Sequence, residues 1–125
     1  MVTIDASRLS GAVREVLSEY SQEVRDITRD TVRSVARTCR KEIRAGSPRR
    51  SGEYAKGWRI KETVGLLGDV SEKIYNAKKP GLVHLLEHGH AKVDGGRVEG
   101  TPHVGPAEQR AQENLLRDLE RELSR

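Results

Sequence analysis

The sequence contains no phenylalanine, one tryptophan, three tyrosines and a single cysteine, Cys39, in 125 residues. One cysteine excludes an internal disulfide and a cysteine-based zinc cluster, and gives no sign of an oxidising compartment. No run approaches the roughly 18 apolar residues that a membrane span requires. The opening MVTIDASRLSG lacks the apolar core of a signal peptide. These features predict a soluble, non-exported chain with no membrane partner. With 34% hydrophobic and 34% charged residues, it can bury one modest core of Val, Leu, Ile and Ala. A partner subunit is expected to complete that core.

The formal net charge of +4 is local in origin. Residues 31–50 hold seven bases (Arg33, Arg37, Arg40, Lys41, Arg44, Arg49 and Arg50) against one acid, Glu42, whereas residues 51–125 carry 12 of each sign. From Leu9 to Ile43, apolar residues recur mostly at steps of three or four, and Thr31 fills the one long gap. This spacing predicts a long amphipathic helix. Asp5 or Ser7 can cap its start, and Gly46-Ser47-Pro48 stops it. At 1.5 Å per residue it would run to roughly 55–60 Å. A chain of this size is not that wide, so a bend, a break near Tyr20-Ser21 or a projection beyond the sheet is expected. Acids crowd the first part, and Arg25, Arg29, Arg33, Arg37 and Lys41 form a row at intervals of four. The row is either a solvated face with i,i+3 pairs or a subunit interface, since five bases in line repel one another.

Beyond the basic loop SPRRSG, WRIKETV alternates with Trp58, Ile60 and Val64 on one side, and DVSEKIYN carries Val70, Ile74 and Tyr75. The GLLG between them predicts an antiparallel hairpin. LVHLLEH reads as a short helix closed by Gly89, and Ala91–Gly100 as a glycine-rich loop without periodicity. Gly105-Pro106 opens a last helix with Ala107, Ala111, Leu115, Leu119 and Leu123 on one face. The expected fold class is α+β: one domain over 1–125, with a long helix (1–46), basic loop and hairpin (47–81), short helix and loop (82–106) and C-terminal helix (107–125).

HLLEHGH contains H-x-x-E-H, an inverted zinc-peptidase signature. His84 and His88, four apart on a helix, could meet one metal, and Glu87 could act as general base. Against this stand a helix of about seven residues and the lack of an obvious third ligand or cleft. Leu82, Leu85 and Leu86 instead suit a small helix docked on a core. Ser51 has no nucleophile-elbow context, DGGRVEG is not a phosphate loop, and Cys39 lies on the apolar stripe. No acid, base and nucleophile converge, so neither an enzyme nor a cofactor or metal site is expected.

Taken in order, SPRRSGEYAKGW, IYNAKKPGLVHLLEHGHAKVDGGRV and GTPHVGPAEQRAQENL resemble the small tail-component proteins of long-tailed phages, the gene-product-ten-like family of the HK-type siphophages. The matching positions are Pro48, Ser51 and Gly52; Asn76; Leu86, Glu87, Gly89 and His90; Gly95, Gly96, Arg97 and Val98; and Pro102, His103, Pro106 and Ala107. The resemblance implies a tail-terminator-like fold with helices packed on a small antiparallel sheet. It also implies a virion structural protein at the head–tail junction, forming a homo-oligomeric ring around the DNA channel between head-completion and tail proteins. Gly95–Val98 is then a candidate partner-contacting loop or a plain connector. The alternative is a nucleic-acid-binding protein using residues 31–50. Few aromatics are available for stacking bases, and no helix-turn-helix spacing is evident.

Overall fold

A computed structural model describes residues 2–5, 22–49, 52–66 and 68–124. The first long helix, α1, covers Gln22–Gly46; it buries Thr31, Val35, Cys39 and Ile43 of the expected stripe together with Thr28, Val32 and Ala36, while Val24 and Ile27 are half-buried. Two threonines can sit there because their hydroxyls donate back to the carbonyls of Val24 and Ile27 at 2.9 and 2.8 Å, leaving no buried hydroxyl unsatisfied. Ser47 closes the helix by donating to Ile43 O at 2.6 Å. The anticipated break near Tyr20-Ser21 lies outside the described residues.

Strands β2 (Trp58–Val64) and β3 (Val70–Asn76) form the expected hairpin, in register from Trp58↔Asn76 to Val64↔Val70. Burial along β3 alternates without a break, with Val70, Glu72, Ile74 and Asn76 inward. Two polar residues on the inward face hid this pattern in the sequence. A third strand, β1 (Val2–Asp5), pairs antiparallel with the other edge of β3, giving the order β1-β3-β2. The segment 1–46 is therefore not helical throughout, as expected above: it opens with a strand. A four-residue strand shows too few alternations to stand out.

The four-residue helix α2 (Glu53–Lys56) precedes β2. After β3, a 3-10 turn (Pro80–Leu82) leads into α3 (Val83–His88). The glycine-rich segment is also not a bare loop: β4 (Gly89–Ala91) and β5 (Arg97–Glu99) pair antiparallel. Gly95 and Gly96, at φ 95° and 82°, make the turn between them. Finally α4 spans Gly105–Leu123 with Pro106 in its first turn. Ala107, Ala111, Leu115 and Leu119 are buried, whereas Leu123, expected on the same face, is 44% exposed.

Helix α1 lies between the sheet and α4, packing most extensively against α4. One apolar cluster joins Val32, Val35, Cys39 and Ile43 to Trp58, Val70 and Ile74 on the sheet and to Ala107, Ala111 and Leu115 on α4. Among the described residues, no helix is long and apolar enough to cross a membrane.

Candidate functional site: a buried polar junction and the surfaces around it

The start of α4 has no cap from its own side chains, so its first N–H groups need acceptors from elsewhere. Glu87, on α3 and 8% exposed, supplies them. Its Oε1 accepts from the amides of His103 and Val104 at 2.8 and 2.9 Å, and its Oε2 accepts from Gly105 at 2.8 Å. Burial pushes this carboxyl up, but three backbone donors and nearby His103 outweigh it and hold the group below the usual Glu value. A carboxylate at a helix N-terminus is also favoured by the helix dipole.

This position overturns the role that H-x-x-E-H would give the glutamate. Both oxygens are engaged, so Glu87 is a structural cap rather than a general base. The His84 and His88 rings do come together, with centroids 4.8 Å apart. Among the described residues, no third His, Cys, Asp or Glu joins them in a metal-holding group. The apolar reading of this segment holds in part: Val83 and Leu86 pack against the core, but Leu82 and Leu85 are 38% and 40% exposed and Glu87 is the buried residue of α3.

His103, 3% exposed, continues the junction. Its Nδ1 lies 2.7 Å from the carbonyl of Thr101, which can only accept, so Nδ1 carries the proton. Nε2 then accepts from the Tyr54 hydroxyl at 2.6 Å. Burial, followed by the Glu87 charge, raises the Tyr54 phenol well above its ordinary value. The rings of Tyr54, Trp58 and His103 meet edge to face at 5.5–6.1 Å. Trp58 Nε1 donates to Ser47 Oγ at 2.8 Å. Asn76 donates to Tyr54 O at 2.8 Å and accepts from the amides of Lys78 and Lys79 at 3.1 and 2.8 Å. The end of α1, α2, both hairpin strands, α3 and the start of α4 are thus tied together by buried hydrogen bonds.

The remaining motif positions shape the backbone. Gly52 adopts φ 80° at the start of α2, and Ser51 lies outside the described residues. Gly89 adopts φ 80° where its backbone touches that of Val98 to Gly100, so a side chain there meets β5 directly. Pro48 is half-buried, and His90 and Pro102 are exposed. The loop residues Gly95, Gly96, Arg97 and Val98 lie on the exposed β4–β5 hairpin, where Arg97 Nη2 donates to His88 O at 2.5 Å.

The basic row on α1 is divided. Arg25 is half-buried, and Arg29 pairs with Asp26 at 3.0 Å and Asp30 at 3.3 Å. Arg33 reaches the sheet, donating to both oxygens of Glu62 at 2.6 and 3.0 Å. Arg37 and Lys41 are exposed. Directly across the hairpin from Glu62 stands Glu72, only 3% exposed. Burial first, then the hydrogen bond and charge of Glu62, raise Glu72 to about 7. Glu62 is lowered to about 2 by its hydrogen bonds to Arg33 and Glu72. The sequence reading missed this carboxyl pair, although both residues lie five positions from Leu67, the centre of the hairpin.

A groove of about 650 Å³ opens beside the junction, between the end of β3, α3 and the start of α4. Tyr75, Pro80, Val83 and Val104 form its apolar wall, and Lys73, His84, His88 and Glu108 its polar edge.

The curated proteins and the solved structures yield no match. A family model described as "Bacteriophage HK97-gp10, putative tail-component" matches residues 11–89, more than half of the chain. The match spans α1, the loop at Pro48 and Gly52, the hairpin with Asn76, and α3 with Glu87 and Gly89. The chain belongs to the HK97-gp10-like family of phage tail components.

Proposed function

We propose that the protein is a structural component of the virion, acting at the head–tail junction as a homo-oligomeric ring around the DNA channel. Head-completion and tail proteins are its neighbours. The observation that carries this reading is how the buried motif residues are used. Glu87, Asn76 and His103 direct their hydrogen bonds into the subunit, so the motif builds a rigid body and the working parts are its surfaces. Family membership supplies the setting.

Arg29 and Arg33 are engaged within the subunit, which leaves Arg37 and Lys41 as the exposed part of the row to meet acidic surface on a neighbour. Reversing both charges (Arg37→Glu with Lys41→Glu) should abolish assembly, read by native mass spectrometry. The monomer should melt within ~2 °C of wild type, because exposed substitutions cost at most about 0.5 kcal/mol. Assembly that survives the double reversal counts against this interface.

A second reading is favoured by one feature. Arg40 and Arg59 both anchor on the carbonyl of Trp58, at 3.3 and 3.0 Å. They stand at the end of the sheet that also carries the exposed Lys56, Lys78 and Lys79. Bases gathered there could track phosphates of duplex DNA. Fluorescence anisotropy decides: affinity falling steeply with salt supports it, and indifference to DNA rejects it.

A further inference from the structure

The two faces of the main hairpin differ in kind. Its register puts Trp58, Ile60, Val70 and Ile74 on the face that meets α1. The opposite face is built from three facing pairs, Arg59↔Tyr75, Lys61↔Lys73 and Thr63↔Ser71. It holds three bases and no acid. Arg59, Lys61 and Thr63 are exposed, and Ser71, Lys73 and Tyr75 are half-buried. Among the described residues, α1 is the one helix packed at length on these strands, and it lies on the other side.

Lys61 and Lys73 stand directly opposite each other, where Cβ atoms lie roughly 5 Å apart and like charges repel. Among the described residues neither forms an ion pair. Nor does Arg59, which donates to the carbonyls of Lys56 and Trp58 at 2.7 and 3.0 Å. The acids beside this face are few. Asp5 of β1 stands level with Ser71. In the groove that Lys73 and Tyr75 also border, Glu108 lies on α4 and Glu87 is held by three amides. An anion that meets both lysines would relieve their repulsion.

The chemistry of the face favours phosphate over a protein surface. Protein interfaces are depleted of lysine at their centres, and this face has no apolar centre. Phosphate accepts from Lys, Arg, Ser, Thr and Tyr alike, and all five residue types are present here. Alternate residues of a strand advance ~6.8 Å, twice the ~3.4 Å rise between phosphates on one strand of duplex DNA. We infer that this outward face, with Arg59, Lys61 and Lys73 as its cations, binds the phosphate backbone of duplex DNA without regard to sequence. The inference deepens the second reading above and rests on it, extending the DNA contact from the end of the sheet over its strands.

The test is fluorescence anisotropy of the full chain with two labelled duplexes of unrelated sequence, across a salt series. Both duplexes should bind alike. Lys61→Gln with Lys73→Gln should weaken binding and make the slope of log affinity against log salt shallower by about 1.8, or ~0.9 for each single substitution. Circular dichroism and melting check the fold. The double variant should melt no lower than wild type, because a repulsion between like charges is removed. An unchanged slope in the folded double variant overturns the assignment of this face. If Lys56→Gln with Lys79→Gln then abolishes binding, the reading of DNA at the end of the sheet stands alone. Wild-type protein that binds neither duplex overturns both. DNA displaced as readily by poly-glutamate of equal total charge assigns the face to an acidic protein partner, and overturns the phosphate assignment.

Discussion

Two glutamates show how one side chain takes opposite roles from its surroundings. Glu87 is ionised and satisfied by three amides. In Glu87→Gln the amide group turns a donor towards backbone N–H groups, so stability should drop by about 1.5–3 kcal/mol, measured by urea unfolding at neutral pH. The sign with pH follows from a lowered carboxyl. Its contribution is present above the ordinary Glu value of 4.5 and is lost as the pH falls below it. The variant should therefore show a shallower acid limb, though some slope remains because Glu62 is lowered as well. Glu72 works the other way. Raised from 4.5 to about 7, it is at ease when protonated and costs stability as the pH rises through that window. Glu72→Gln keeps a donor towards Glu62 and removes the charge. It should match wild type near pH 4 and exceed it at pH 8 by up to ~3 kcal/mol, at 1.36 kcal/mol per pH unit. Equal stability at both pH values would contradict the buried, proton-sharing arrangement.

At the scale of elements, adjacent leucines on α4 report its seating against α1. Leu115 is 2% exposed and Leu116 52% exposed. Leu115→Ala should cost about 2–4 kcal/mol through the cavity it leaves, and Leu116→Ala under about 0.5 kcal/mol. Thermal melting of the two variants distinguishes them, and equal losses would mean that the helix is rotated from this placement. Elements of this kind were legible in the sequence. α1 and α4 repeat their apolar spacing over several turns, and the GLLG turn sets the hairpin register. Strands β1, β4 and β5 were not legible, because three or four residues hold too few alternations to be distinguished from a loop. The polar junction was half legible. Glu87, Asn76 and His103 stood out through a family pattern, but their partners lie 16 to 22 residues away for Glu87 and Asn76 and 49 for His103. No periodicity spans such separations. The sequence could weigh H-x-x-E-H down but not say what its glutamate does, because the amides of His103, Val104 and Gly105 that engage Glu87 come from a distant segment.

For the whole molecule, α1 and α4 run antiparallel, as Glu42–Arg110 (2.8 Å) at one end and the proximity of Ile27 and Asp30 to Asp118 and Glu122 at the other require. At the latter end the acids are balanced by arginines of their own helices: Arg29 pairs with Asp26 and Asp30, Arg117 and Arg121 with Asp118, and Arg121 with Glu122.

The three-stranded sheet also sets an order of events in time. Val2 pairs with Ile74, a partner 72 positions later. At ~5–20 residues per second of synthesis, the first strand waits roughly 4–15 s before its neighbour exists. Until then its amides and carbonyls have only water, and once β3 is made its free edge is open to any extended chain nearby until the first strand pairs with it. In a cell making many copies at once, that edge is where one molecule captures the first strand of another. A strand made early is among the last to take its place in the sheet.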